Sequence, residues 1–387
     1  MSIIKEVEGR IISDSRALPT VEVKIRTQSG ASGVASVPSG TSTGKKEATL
    51  VEAKVAVQNI NQIIAPKLKG VDVQSQQKID QAMIELDGRE DKSRLGANAI
   101  LGVSLAAART GAEFLRIPLY QYLNNYFCQL SGITLKPSLP TPMMVMICGG
   151  KHGANKLCVQ EFLVIGKLQD GIKIWQTIEK ILKRRKIIYQ TGLEGAFSPD
   201  LSYDEDALEI INEAVLTAGH QNGKDIYLGL DIAGNHCRIP NQEIIKLVGK
   251  FNLFSIEDPF GEEDWEKFGQ LKLELEELRS DFLLLGDDLF ATHKKLLQKG
   301  INDLVANGII IKVNQVGTLT ETMEVITLAK KAAYTHVVSH RSGETDDTFI
   351  ADLAVATAAK YIKSGAPVPK ERLSKYKRIE EIRGEFS

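Results

Sequence analysis

Ionisable side chains recur at the ends of short apolar runs in the second half of the chain. They are Asp231 ("YLGLD"), Glu257 ("LFSIE"), Asp287 ("LLLGD"), Lys312 ("GIIIK") and His340 ("HVVSH"), at successive intervals of 26, 30, 25 and 28 residues. Carboxylates gathered at one rim would repel one another unless a cation neutralised them, and Mg²⁺ prefers carboxylate oxygens. A single loop carboxylate more often caps the next helix. The shared register of Asp231, Glu257 and Asp287 therefore predicts a metal site.

Basic and hydroxyl groups follow the carboxylates on the next two runs. A lysine beside bound cations and shielded from water has its neutral form favoured, so Lys312 is a candidate base. Taken alone, it would more often be a strand-end lysine that snorkels to solvent. His340, Arg341 and Ser342 ("SHRS") then place three donors together, and arginine suits bidentate contact with an anion. This triplet predicts an anion clamp facing the metal.

Two further glutamates are candidates for acid chemistry. Glu161 begins the apolar run "EFLVIG", and Glu194 lies in the glycine-containing stretch "TGLEGAF". If they are adjacent in space, each raises the proton affinity of the other, so one could stay protonated as a general acid.

The elements that position these residues are predicted to be repeated strand–helix units. The intervals suit one strand, one helix and their loops, which favours a parallel βα barrel of the TIM type. "GTLTETMEVITLAKKAAY" supports a helix, because Thr318 and Glu321 fit a capping box. A doubly wound open sheet is the alternative. Polar residues at so many successive strand ends favour the barrel.

The first third of the chain differs and predicts a smaller α+β lid domain. Three β-rich runs precede a Gly/Ser/Thr-rich loop, "PSGTSTGKKEA", and helical stretches follow around 51–68 and 96–115. "LSGITLKPSLPTP" contains three prolines and predicts a linker. The expected division is residues 1–129, a linker at 130–142 and a barrel at 143–387.

Composition limits the partners and the compartment. The 387 residues carry a formal net charge of −1, and "KILKRRKII" has the apolar spacing of a solvated helix face, so neither nucleic acid nor a membrane is an expected partner. The four cysteines, Cys128, Cys148, Cys158 and Cys237, form no close pair. We expect no disulfide, interpret Cys148 and Cys158 as small apolar fillers, and expect a cytoplasmic protein.

The chain resembles the enolase family over nearly its whole length. The motifs that carry the resemblance are, in order, "PSGTSTGKKEA", "KSRLGANAILGVSLA", "PTPMM", "GGKHGANKLCVQEF", "SIEDPF", "GDDLF", "IIKVNQVGTLTE", "VVSHRSGETDDTFIADLAV", "IKSGAP" and "RIEE". The resemblance implies an N-terminal α+β lid, a C-terminal barrel whose first units depart from the usual pattern, and a homodimer or larger homo-oligomer. The implied reaction is Mg²⁺-dependent, reversible dehydration of 2-phospho-D-glycerate, a small phosphorylated substrate, to phosphoenolpyruvate.

The resemblance also implies roles for individual residues. Asp231, Glu257 and Asp287 would hold the first of two magnesium ions, and Ser39 would close over the substrate and join the second. Lys312 would remove the proton next to the substrate carboxylate. Glu194, supported by Glu161, would protonate the departing hydroxyl. The substrate-binding residues that it implies are His152 on a moving loop, His340, Arg341, Ser342 and Lys363.

Several positions depart from the family pattern. The departures are Ala17 and Leu18 for Gly-Asn, Cys148 for Asn, Leu193 for Asp and Ala196 for Gly, together with shortened connecting segments. Leu193 adjoins the candidate acid, so we predict an altered pH optimum. A non-catalytic paralogue with a binding or structural role is one alternative. Another is a related lyase or racemase, which would have no need of a phosphate clamp.

Overall fold

The amino-terminal part of the chain is a three-stranded antiparallel sheet covered by helices, in a computed structural model that describes residues 1–40 and 46–386. The strands, in spatial order, are β1 (Ile4–Ser13), β2 (Pro19–Thr27) and β3 (Ser32–Ser36). Part of the predicted Gly/Ser/Thr-rich loop, residues 41–45, lies outside the described residues.

Helices cover one face of this sheet. They are α1 (Ala53–Asn59), which continues through a π-helical turn (Ile60–Ile64) into α2 (Ala65–Leu68), and α4 (Ala97–Leu115). Helices α3 (Gln76–Asp87) and α5 (Leu119–Ser131) pack against α4 from outside. Val21, Val23 and Ile25 alternate along β2 and are fully buried, as expected for one covered face. Helix α4 approaches so closely that a Cβ at Gly102 would lie 2.6 Å from the Val23 side chain.

The remainder of the chain is a closed barrel. Its strands and one appended hairpin are β4 (Thr141–Cys148), β5 (Glu161–Ile165), β6 (Tyr189–Thr191), β7 (Phe197–Pro199), β8 (Tyr227–Asp231), β9 (Leu253–Glu257), β10 (Leu283–Gly286), β11 (Gly308–Ile311), β12 (Thr335–Ser339) and β13 (Tyr361–Lys363). Around the ring the order is β4, β5, β8, β9, β10, β11, β12 and β13, and β13 pairs with β4. The predicted barrel is confirmed, and the open-sheet alternative is wrong.

The barrel departs from an all-parallel arrangement only near its start. Strand β5 is antiparallel to both β4 and β8, whereas the pairings from β8 through β13 and back to β4 are parallel. Strands β6 and β7 form a hairpin beside β4. Because β5 runs in the opposite direction, its first residue lies at the rim where the parallel strands end.

Helices surround the barrel. They are α6 (Leu168–Arg184), α7 (Asp204–Thr217), α8 (Asn241–Phe251), α9 (Trp265–Leu278), α10 (Lys294–Asn302), α11 (Val313–Val316), α12 (Leu319–Lys331), α13 (Phe349–Ala356) and α14 (Lys370–Glu385). The predicted start of α12 is confirmed, because the Thr318 hydroxyl accepts from the Glu321 N–H at 3.1 Å and donates to its carboxylate at 2.6 Å.

Apolar side chains fill both sides of the barrel wall, which explains why its strands read as continuous apolar runs. Met143, Val145, Leu163, Leu285 and Ile310 pack together in one cluster. A larger cluster joins the outer face of the barrel to its helices and extends into the N-terminal domain.

Direct ion pairs and hydrogen bonds connect the N-terminal domain to the barrel. Arg109 of α4 makes two hydrogen bonds to Asp347, at 2.6 and 2.7 Å. Residues 132–140, between α5 and β4, contain no helix or strand, while the division into residues 1–129 and 143–387 stays a prediction. Among residues 1–40 and 46–386, no helix has the length and apolar character needed to cross a bilayer.

Candidate active site

The predicted strand-end residues lie around one rim of the barrel. Asp231 and Glu257 are the last residues of β8 and β9 and are register partners. Glu161, the first residue of β5, pairs with Asp231 from the other side. Lys312 directly follows β11 and caps α11, and Lys363 ends β13. The parallel direction of the strands thus delivers side chains that are distant in sequence to one edge.

A buried ammonium group lies among three of the carboxylates. Lys363 Nζ is 2.8 Å from Glu161, 3.0 Å from Asp231 and 2.8 Å from Glu257. Burial lowers the pKa of Lys363, but the three carboxylates outweigh burial and raise it well above its ordinary value. Burial also raises the pKa of Asp231 and of Glu257, where the neighbouring Asp231 charge adds to the effect. Lys363 therefore balances negative charge in this structure, whereas the resemblance implied a contact with the substrate.

Asp287, the third predicted metal ligand, pairs with Lys312. Gln315 also donates to the Asp287 carboxylate, at 3.2 Å. Burial lowers the pKa of Lys312, but the Asp287 carboxylate outweighs burial and raises it above its ordinary value. The protonated form of Lys312 is therefore favoured here, whereas the neutral form that the sequence analysis expects depends on bound cations and stays a prediction.

Two aspartates that the sequence analysis did not select extend the acidic wall. Carboxylate oxygens of Asp258, Asp287 and Asp288 lie within 4.8 Å of one another. Asp258 accepts from the backbone N–H groups of Asp287 and Asp288, at 2.9 and 2.6 Å. Burial raises the pKa of Asp258 well above its ordinary value and that of Asp288 to about 6. The sequence does show a second acidic residue directly after each strand-end carboxylate, in "IED" and "GDD", and this pairing could have identified Asp258 and Asp288.

This donor set fits a hard divalent cation. The carboxylates of Asp231, Glu257 and Asp287, with those of Asp258 and Asp288 beside them, supply the oxygen ligands that Mg²⁺ prefers. Glu257 Oε1 is buried and accepts no hydrogen bond from the described residues, so one ligand oxygen has its coordination capacity unused. Buried carboxylates with raised pKa values gain stability from a nearby cation, which agrees with the same interpretation.

The acid candidates meet on another part of the rim around two histidines. His152 Nδ1 is 3.1 Å from Glu161 and 3.8 Å from Glu194. His340 Nε2 is 3.1 Å from the other oxygen of Glu194. All four side chains are buried or nearly so. The structure therefore brings together His152, His340 and the two glutamates that the sequence selected separately.

The proton in this cluster is favoured on His152. Burial lowers the pKa of His152, but Glu194 and Glu161 outweigh it and raise that pKa. Burial and Glu194 raise the pKa of Glu161, yet Lys363 and His152 lower it below its ordinary value. Burial also raises the pKa of Glu194, but the contacts with His340 and His152 hold it well below its ordinary value. Neither glutamate is therefore favoured to hold the proton here, and the expectation of a protonated glutamate acid stays a prediction.

The predicted anion clamp holds a carboxylate of the protein itself. Arg341 donates to both oxygens of Glu47, at 2.8 and 3.2 Å, and to Asn314 at 2.9 Å. Arg341 and Ser342 line the same cavity as Lys312 and His152. Glu47 comes from the N-terminal domain, 294 residues earlier in the chain, and the sequence analysis missed it.

Ser39 lies at the boundary between the two domains, and its hydroxyl contacts none of the carboxylates of Asp231, Glu257 and Asp287. Its hydroxyl donates to Asp14 at 2.9 Å and accepts from Arg16 at 2.7 Å. Its backbone pairs with Gly343 through two hydrogen bonds of 2.8 Å. The structure therefore does not place Ser39 among the metal-ligand candidates, although its neighbour Gly40 lines the cavity.

A disulfide joins two cysteines that were expected to be unpaired. Cys158 and Cys237 are bonded across 79 residues, which overturns both the expected absence of disulfides and the apolar-filler interpretation of Cys158. Cys158 lies in the loop that carries His152, and Cys237 lies in the loop that follows Asp231. The bond therefore ties two active-site loops together. Short-range cysteine spacing did not reveal it because the two loops meet only in the fold.

The other departures from the family pattern lie near the site with different exposures. Cys148 is a free, buried thiol, and Ala196 is buried within the barrel. Leu193, next to Glu194, is 41% exposed. Ala17 has a φ of 59°, a left-handed conformation in which glycine carries no steric cost.

Comparison with known families covers both parts of the chain. Residues 4–123 match "Enolase, N-terminal domain", and residues 136–243 and 241–387 match "Enolase, C-terminal TIM barrel domain". These matches agree with the antiparallel sheet, the closed barrel and the carboxylate-lined rim described above. The chain therefore belongs to the family built from these two enolase domains.

Proposed function

We propose that the chain catalyses the reversible dehydration of 2-phospho-D-glycerate to phosphoenolpyruvate with Mg²⁺. Its family membership supports a lyase-type, metal-dependent enzyme. The observation that carries the specific proposal is the placement of a base candidate and an acid cluster across one cavity. Strand β11, which precedes Lys312, and β5, which begins with Glu161, are four strands apart in a ring of eight. They therefore lie on opposite sides, as removal of a proton and a hydroxyl from adjacent carbons requires.

Lys312 would accept the proton next to the substrate carboxylate. A proton in that position is a very weak acid, because its removal places a second charge on the same group. Asp231, Glu257 and Asp287 would hold the first magnesium ion, and bound Mg²⁺ would supply electrostatic stabilisation of that charge. Enzymes of the enolase superfamily generally use a lysine or histidine base together with Mg²⁺. Pairing of Asp287 with a cation would also weaken its hold on the Lys312 proton.

Departure of hydroxide requires a proton on the other side of the cavity. Glu194 is the proposed donor to the hydroxyl, with Glu161 beside it. Because both glutamates favour their ionised forms, we propose that His152, which contacts both, supplies that proton. His340 orients the Glu194 carboxylate from the opposite oxygen.

The remaining cations would hold the anionic groups of the substrate. Arg341 and Ser342 suit the phosphate, because the guanidinium can make two parallel hydrogen bonds to it. The phosphate would replace the Glu47 carboxylate, which makes the same kind of bidentate contact here. Lys363 is the proposed partner of the substrate carboxylate.

The test is formation of phosphoenolpyruvate from 2-phosphoglycerate, with Mg²⁺ and with a chelator, in the wild type and Lys312→Ala. A matched control is Lys294→Ala, which removes an exposed lysine paired with Glu324. Metal-dependent turnover that is lost in Lys312→Ala alone supports the proposal. Saturable binding without turnover would instead support the non-catalytic paralogue. The expected homodimer and cytoplasmic location stay predictions, and light scattering of the purified chain tests the first.

A further inference from the structure

Helix α14 supports the active-site loop from behind with a buried arginine. Arg372 is fully buried. Its Nη1 lies 2.5 Å from His340 Nδ1 and donates to the Arg341 carbonyl at 2.5 Å, while its Nη2 donates to the Ser342 carbonyl at 2.6 Å. Arg372 contacts three residues that line the cavity but does not line it itself, and the proposed function assigns Arg372 no role.

The contact with His340 determines where the imidazole carries its proton. A guanidinium is always charged and has only donor groups, so the ring nitrogen that faces Arg372 must offer a lone pair. Nδ1 of His340 is therefore the acceptor, and the proton of the neutral ring is on Nε2. Nε2 lies on the side of Glu194, 3.1 Å from its Oε2, which is within ion-pair distance although the two groups are not aligned for a hydrogen bond in this structure. An ionised carboxylate can only accept, so an N–H on this side suits it.

We propose that Arg372 is a positioning residue that holds His340 in its neutral, Nε2-protonated tautomer and thereby fixes the Glu194 carboxylate as an acceptor. The assignment of the tautomer is independent of the activity, but its effect on catalysis rests on the proposed function. The backbone brings the three groups together at Gly365, whose φ is +65°. A Cβ there would lie 3.0 Å from the Glu194 carbonyl oxygen, 3.1 Å from Arg372 Cδ and 3.2 Å from His340 Cε1.

The charges around His340 agree with this assignment. Glu194 faces it from the loop before β7, Glu161 acts from β5, and Arg372 faces it from α14. Burial and the Arg372 charge lower the pKa of His340, and they outweigh the opposing effect of Glu194. On the far side of Glu194, His152 is the imidazole whose pKa is raised. The pKa values of the two histidines are thus shifted in opposite directions, and Arg372 is adjacent to only one of them.

The direct test is nitrogen NMR of the intact protein labelled with ¹⁵N-histidine. The chain has six histidines, so His340 is assigned by comparison with His340→Gln. We expect a neutral ring with its proton on Nε2 at neutral pH. A proton on Nδ1, or on both nitrogens, overturns the proposal. This measurement requires no substrate, so it separates failure of this inference from failure of the proposed function.

A pair of variants then tests the cause. Arg372→Met should change the tautomer mixture of His340 and move its titration midpoint to higher pH. It should also lower kcat by about ten-fold or more with KM within about two-fold. Lys375→Met is the matched control, because Lys375 is equally buried on α14 and pairs with Glu344 of the same loop at 2.9 Å, but does not contact His340.

Two results would contradict this cause. In one, Lys375→Met changes the His340 tautomer as much as Arg372→Met does, so that the effect is loop packing. In the other, Arg372→Met keeps the wild-type tautomer and midpoint. If Arg372→Met does not fold, Arg372→Lys provides the comparison, since it keeps the charge but loses the planar fork. A wild-type tautomer with unchanged kcat in Arg372→Lys would likewise overturn the requirement for the guanidinium.

Discussion

Replacement of Lys363 by methionine tests whether the buried carboxylates depend on one ammonium group. Lys363 Nζ lies 2.8–3.0 Å from three carboxylates, and all four side chains are buried. At about 3 Å, an effective dielectric constant of about 20 makes each attraction roughly 5 kcal/mol. Desolvation of the ions and repulsion among the carboxylates offset much of that sum. Removal of one partner from a buried ion pair typically costs about 3–5 kcal/mol.

We therefore expect Lys363→Met to lower the free energy of unfolding by about 3–5 kcal/mol. The measurement is urea denaturation without Mg²⁺, followed by circular dichroism. Lys294→Met is the control, because its exposed pair with Glu324 should contribute about 0–1 kcal/mol. Glu257 has a raised folded-state pKa, so its carboxyl disfavours folding increasingly as the pH rises above about 4.5. Loss of Lys363 should steepen that decline.

Mg²⁺ should restore more stability to Lys363→Met than to the wild type, because the cation then replaces the positive charge that Lys363 supplied to Asp231 and Glu257. The increment should grow with pH as the carboxyl groups ionise. A variant that loses no more stability than Lys294→Met would refute the charge balance. A variant that loses stability but gains nothing extra from Mg²⁺ would refute the metal-site assignment.

Three further outcomes follow from the site. Glu47→Gln should bind inorganic phosphate about ten-fold more tightly by calorimetry, because Arg341 loses its competing carboxylate, and unchanged affinity would contradict that competition. Cys237→Ser should lower the free energy of unfolding by about 2–4 kcal/mol, the usual contribution of a long-range disulfide, while unchanged stability under oxidising conditions would show that the bond does not form. Leu193→Asp should move to higher pH the limb of the pH–rate profile on which activity falls as Glu194 loses its proton, because a new carboxylate raises the pKa of Glu194, and an identical profile would count against that coupling.

The barrel was predictable because each of its strands is marked by a local sequence pattern that repeats along the chain. Apolar runs that end in polar residues at intervals of 25 to 30 positions require a strand, a helix and a return to the same rim. The start of α12 followed from Thr318 and Glu321 for the same reason. Strands β6 and β7 are only three residues long and were not predicted, and neither were α3 and α5.

The partners of the site residues were less predictable. Lys312 and Asp287 were both selected, but as a neutral base and a metal ligand rather than as an ion pair. Arg341 was selected, but Glu47 was not, and the disulfide crosses 79 residues.

The amino-acid sequence by itself determined the strand–helix alternation and the identity of the side chains that reach the barrel rim, since both depend on neighbours along the chain. Only the tertiary structure decided which charge neutralises which, where the protons are held and which ring nitrogen of His340 faces Arg372. Electrostatic and hydrogen-bond energies depend on separations of a few ångströms and on burial, and neither is encoded by distance along the chain.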